Sequence, residues 1–219
     1  MAINIEQARH NMLENQLRPW DVLDKRVLGV LSQVHREDFV PEAYRHLAFA
    51  DLCLPLGHGE VMMKPVMEGR ILQALNLTPT DCVLEVGTGS GFFTACLAHL
   101  AESVTSLDIH SDFTTAAATR LRTVSISNVE LLTAEAICQW QASDQFDVVV
   151  LTGAVFQIPG RMLSWLNPGG RLLAIRGDSP AKDVVRFSWE KQDRYREESL
   201  FETDLPYLIH AEAPQTFTF

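Results

Sequence analysis

The chain has 219 residues, 47% of them hydrophobic and 21% charged, and carries a formal net charge of −10. That length suits one α/β domain with a buried core and a small N-terminal appendage, and is short for two ordinary domains. The acidic balance argues against a surface built for a phosphate backbone, and no apolar run reaches the roughly 18 residues that span a bilayer.

The N-terminus, "MAINIEQARHNMLENQLRP", is polar and interrupted by charges, unlike a secretory leader, so the expectation is a cytoplasmic protein that binds neither nucleic acid nor membrane. Its first predicted helix covers 5–17, where Ile5, Ala8, Met12, Leu13 and Leu17 recur at helical spacing, and Pro19 disfavours continuing it. A second helical pattern runs through Val22, Leu23, Val27, Leu28, Val30 and Leu31, with Asp21 as its candidate cap. Cys53, Cys82, Cys96 and Cys138 have no CxxC spacing and mostly sit among apolar neighbours. They read as reduced, mainly buried residues, and no metal site is expected.

Beyond residue 80 short apolar runs alternate with helical segments. "CVLEV" leads through a glycine turn to "FFTACLAHLA", "SVTSLDI" to "SDFTTAAATRLRTV", "VELLTA" to "AICQWQ", and "FDVVVLTG" to "IPGRMLSWL"; "RLLAI" follows the turn "NPGG". The alternation predicts an α/β fold with a mostly parallel sheet and helices on both faces. "DVVRFSWEKQDRYREESLF" reads instead as two strands around a polar turn at "EKQD", an antiparallel C-terminal edge.

The strongest chemical signal is "VLEVGTGSGFFTACLA", residues 83–98, a buried strand that runs through G-T-G-S-G into a helix. Gly87, Gly89 and Gly91 let the backbone turn sharply and come close to a ligand at the carboxyl end of a strand. Asp108 ends the next strand about twenty residues later, where a carboxylate can accept from both hydroxyls of a ribose. The dinucleotide fingerprint G-x-G-x-x-G would need glycine at Phe92. An ammonium-bearing cofactor without a pyrophosphate can instead use a carboxylate such as Glu85, which favours S-adenosylmethionine over NAD.

On these residues the chain resembles class I S-adenosylmethionine-dependent methyltransferases. The wider sequence resembles the protein-L-isoaspartate O-methyltransferase family, through "REDFVPEAYRHLAFAD", "LPLGHGEVMMKP", "FDVVVLTGA", "LNPGGRLLAI" and "FETDLPYL". The resemblance implies a Rossmann-like single domain, with N-terminal helices and an acceptor loop in 1–78 and the core in 79–219. It implies protein repair by methylation of isoaspartyl carboxylates in protein or peptide substrates, with a monomer as the favoured state. It also places Glu85, Gly87, Thr88, Gly89 and Gly91 around the methionyl part of S-adenosylmethionine, Asp108 on the ribose, and Ile109, Ala134 and Glu135 near the adenine. Glu135 stands where the family has a short Gly-Asp-Gly, and its other reading is a helix-start residue.

The acceptor loop departs from the family pattern, G-Q-T-I-S-Q-P. Aligned on Gly59 and Pro65, Val61 replaces the threonine, Met63 the serine and Lys64 the second glutamine, so both hydroxyls are lost. Val61, Met63 and Lys64 therefore serve a changed acceptor, with Lys64 drawing an anionic group, or else the methionines pack, Lys64 is solvated and His58 bonds locally. Arg176, in "AIRGDSP", either grips an acceptor carboxylate or pairs with a neighbour such as Asp178. The alternatives to the repair activity are methylation of a different acceptor and a catalytically silent S-adenosylmethionine-binding protein.

Overall fold

The computed structural model describes residues 4–190 and 194–214. Asn4 caps α1 (Ile5–Met12), its side chain accepting from the Gln7 N–H at 3.1 Å. The chain then tightens through a π turn, Leu13–Leu17, and a 3-10 turn, Arg18–Trp20. Helical backbone thus runs through Leu17, as the 5–17 pattern expects, though only to Met12 as α-helix, and Pro19, with no N–H to give, stands in the 3-10 turn that follows. The expected cap Asp21 lies in the left-handed region at φ 63°, whereas a cap needs extended backbone. Asp24 takes that role, accepting from the Arg26 N–H at 2.8 Å at the start of α2 (Lys25–Gln33).

Two 3-10 turns lead to a hairpin, β1 (Leu54–Gly57) and β2 (Glu60–Met62), followed by α3 (Pro65–Leu75). Pro65 stands in the first turn of α3, where its missing N–H costs nothing. Next come β3 (Cys82–Val86), α4 (Phe92–Leu100), β4 (Ser103–Asp108), α5 (Ser111–Thr123) and β5 (Val129–Thr133). The chain continues as β6 (Phe146–Val155), α6 (Gly160–Leu163), β7 (Leu166–Arg176), β8 (Lys182–Trp189) and β9 (Tyr195–Thr203).

The seven-stranded sheet has the order β5-β4-β3-β6-β7-β8-β9. Pairings from β5 through β7 are parallel, and β8 and β9 add the expected antiparallel edge. The turn expected at "EKQD" involves residues 191–193, which lie outside the described residues.

Side chains of β3 alternate between two cores. Val83 packs with α2, α3 and α4 on one face; Leu84 and Val86 pack with α6, Trp165 and β7 on the other. "AICQWQ" does not continue as the expected helix. The Glu135 carboxylate gathers the N–H groups of Ile137, Cys138 and Gln139 at 2.7–2.9 Å, closing a local turn, and Trp140 then leaves to pack edge-on against Trp165. "IPGRMLSWL" gives only one helical turn, because Leu166 already pairs with Phe146 as β7 begins. All four cysteines are free thiols, but Cys53 and Cys138 are exposed rather than buried. No helix among the described residues is long and apolar enough to cross a membrane.

Candidate active site

Strand order reverses between β3 and β6, and the crevice at their carboxyl ends is where an open α/β sheet binds ligands. Gly87 begins the turn after β3 at φ 105°, in the region that favours glycine. A Cβ there would strike the Thr152 hydroxyl, which donates to the Gly87 carbonyl at 2.6 Å and holds the loop to β6. The N–H groups of Gly87 and Thr88 both donate to the Leu107 carbonyl, at 2.8 and 3.1 Å, which ties the loop to β4 as well.

Asp108, at the end of β4, accepts from the Gly89 N–H at 2.8 Å through Oδ2 and from the His110 N–H at 2.9 Å through Oδ1. Each oxygen keeps a lone pair for a further donor, a geometry suited to a vicinal diol. Burial raises the Asp108 pKa, and the two N–H bonds oppose that shift.

The main cleft offers about 600 Å³ of open space. Gly87, Gly89, Asp108, Ile109, Ala134 and Glu135 line it, together with Val61 from the hairpin. A smaller extension of about 300 Å³ adds Thr88, Met63 and Glu68. Glu135 borders the cleft while closing the turn after Ala134, and it starts no helix, so the helix-start reading does not hold.

Three expected residues stand elsewhere. Glu85 is fully buried and borders neither space. Its Oε2 accepts from Thr94 at 2.5 Å and Ser106 at 2.6 Å, so it sits beneath the glycine loop between α4 and β4. Burial raises its pKa to about 8. Gly91 initiates α4 against Ala117, where a Cβ would approach the Ala117 Cβ to 2.9 Å. Lys64 occupies the residue before α3 and borders neither space.

The hairpin crosses the cleft. Its tip places Gly57, His58 and Gly59 at φ 112°, 55° and 85°. The His58 ring stacks on His110 with centroids 4.0 Å apart, and its Nε2 lies 3.0 Å from Asp112 Oδ2. His58 therefore anchors the tip to the turn after β4, a local role. Val61 faces both spaces, while Met62 and Met63 are buried at 3% and 5% exposure. Met63 packs in the core, as one of its two readings expects, and also borders the extension.

Other lining residues carry only a weak signal in the sequence. Leu208 and Ile209 reach the cleft because segment 206–211 runs beside the end of β6, with the Leu208 N–H on the Ala154 carbonyl at 2.8 Å. Their signal is the tail "DLPYLIH", whose apolar pair follows a proline after the last strand. Arg176 is turned away from the main cleft and pairs with Glu197 at 2.5 Å, not with Asp178. Neighbouring β7 and β9 flank β8, so the strands themselves supply that partner.

Residues 7–203 match the family described as Protein-L-isoaspartate(D-aspartate) O-methyltransferase (PCMT). A protein-L-isoaspartate O-methyltransferase of Cronobacter sakazakii is 40% identical over 170 residues, 78% of this chain and 82% of that protein. A Plasmodium falciparum structure described as a beta-aspartate methyltransferase (PCMT) in complex with S-adenosyl-L-homocysteine superposes with a TM-score of 0.79. It is 18% identical, and the match covers 94% of this chain and 99% of that one. A second solved protein-L-isoaspartate O-methyltransferase gives 0.78 at 19% identity, over 91% of this chain and 65% of its own. At those identities the two structures speak to the fold.

Proposed function

This chain belongs to the protein-L-isoaspartate(D-aspartate) O-methyltransferase family, and from that premise we propose that it methylates the carboxylate of isoaspartyl residues in damaged proteins. It is an enzyme of the family's type, using S-adenosylmethionine in protein repair. The observation that carries the cofactor reading is the Asp108 carboxylate, held by the N–H groups of Gly89 and His110 with a lone pair free on each oxygen. Around it the residues fit an adenosyl group: backbone at Gly87 and Gly89, apolar Ile109 and Ala134, and the Glu135 carboxylate as an acceptor for an exocyclic amine.

S-adenosylmethionine supplies a methyl group on a sulfonium, and an acceptor carboxylate takes that methyl to give a methyl ester and neutral S-adenosylhomocysteine. A carboxylate is ionised at neutral pH, so the protein's part is alignment and exclusion of water, with no strong base required. Asp108 orients the ribose, and the glycine loop fixes the depth of the methionyl end. Val61 and Met63 wall off the acceptor side with apolar surface. The nearby hydroxyls already have work within the protein, Thr88 bonding Ser106 at 2.6 Å and Thr152 bonding Gly87.

That apolar wall also favours a second reading, methylation of an acceptor other than an isoaspartyl carboxylate. Transfer from radiolabelled S-adenosylmethionine to an isoaspartyl peptide and its aspartyl twin separates the two. Turnover of the isoaspartyl peptide alone is the expected result; no turnover of either by protein that binds S-adenosylhomocysteine would move the assignment to another acceptor or to a silent binding role.

A further inference from the structure

The sequence pattern puts Glu85 near the cofactor's ammonium, directly or through water, but Glu85 is buried beneath the glycine loop and borders neither space. Another carboxylate stands closer to the opening. Glu68, in the first turn of α3, is 1% exposed yet borders the extension of the cleft together with Gly87, Gly89 and Met63. It is the only charged side chain among the described residues that line this extension.

Glu68 is held by Arg36, which is itself 1% exposed. The Arg36 guanidinium gives Nη1 to Glu68 Oε2, Nη2 to the Met63 carbonyl at 2.7 Å and Nε to the Ala48 carbonyl at 2.8 Å. Its remaining face lies 4.9 Å from the Phe92 ring at the start of α4. Each Arg36 nitrogen thus has a protein partner, whereas Glu68 has one oxygen, Oε1, with no hydrogen bond among the described residues. A buried carboxylate with an open acceptor favours a cationic donor of matching size, and a primary ammonium is one.

We propose that Glu68 receives the α-ammonium of the cofactor's methionyl part through Oε1, with Arg36 coupling that contact to the hairpin through the Met63 carbonyl. The proposal rests on reading the cleft as an S-adenosylmethionine site. Glu68 acts as a binding residue and Arg36 as a positioning residue that works through it.

Titration calorimetry on the full chain tests this with two ligands. S-adenosylhomocysteine carries the amino-acid part, and 5′-methylthioadenosine keeps the adenosine and sulfur without it. Glu68→Gln retains an acceptor for Arg36 and loses the charge. It should weaken S-adenosylhomocysteine about ten- to thirtyfold while changing 5′-methylthioadenosine by no more than about twofold. Equal losses for both ligands would reduce Glu68 to a structural role and overturn the proposal, as would no loss for either. If Glu68→Gln does not fold, Glu68→Asp replaces it and should shrink the same preference part of the way; an unchanged preference overturns the assignment. Wild-type protein that binds no S-adenosylhomocysteine would remove the cofactor reading itself, whereas normal wild-type binding with an unaltered preference in the variant removes only Glu68.

Discussion

One wall of the cleft is built around backbone and the Asp108 carboxylate, fixed by the N–H bonds of the glycine loop to Leu107 and Asp108. The facing wall is a hairpin of four and three residues, whose contribution to the cleft comes mainly from side chains. The first wall tolerates almost no change, because glycine geometry and sheet register set it. The second leaves more freedom at Val61 and Met63, because its strands pair through their backbone, Leu54 opposite Met62 and Pro55 opposite Val61. Cofactor and acceptor recognition are therefore exposed to sequence change to different degrees within one site.

The largest way to break this contrast is to remove what joins the two walls. Arg36→Met strands the Glu68 carboxylate in the core and frees the Met63 carbonyl, and should cost about 3–5 kcal/mol in urea unfolding. An unchanged midpoint would mean that the pair does not brace the hairpin. Gly87→Ala attacks the backbone wall alone. Its Cβ meets the Thr152 hydroxyl at a φ of 105°, so S-adenosylhomocysteine affinity should fall about a hundredfold, about 3 kcal/mol, with the circular dichroism of the sheet retained.

Glu85 gives a smaller effect, visible in pH dependence. Its folded pKa of about 8 exceeds the unfolded 4.5, so between those values the folded chain keeps a proton that the unfolded chain has lost. Stability should therefore fall as pH rises through that window, by about 2 kcal/mol from pH 5.5 to 7 for this group, and the slope should flatten in Glu85→Gln. Chemical denaturation of both proteins across that range checks it; parallel slopes would show that Glu85 is ionised in the fold.

Much of the backbone wall is legible in the amino-acid sequence. Parallel strands buried on both faces read as the apolar runs "CVLEV" and "FDVVV", and G-T-G-S-G between strand and helix has few other uses. What escapes depends on partners distant in sequence. Glu68 interrupts the apolar face of α3, but nothing local announces that Arg36, 32 residues earlier, neutralises it. The inward turn of Glu85 likewise follows from where Thr94 and Ser106 fall, and the closed turn at Glu135 from one side chain outcompeting a helix. Arg176 finds its partner Glu197 across β8, far along the chain, and leaves the sequence neighbour Asp178 aside.

The most direct test of the contrast is to measure Met63→Ser twice, once for S-adenosylhomocysteine affinity and once for kcat/KM toward an isoaspartyl peptide. Restoring the hydroxyl changes only a hairpin side chain, so affinity should stay within about twofold while kcat/KM rises about tenfold, or about 1.4 kcal/mol in the barrier. Cofactor affinity that shifts in step with kcat/KM, or a kcat/KM that does not move, would contradict a site divided between a fixed cofactor wall and a changeable acceptor wall.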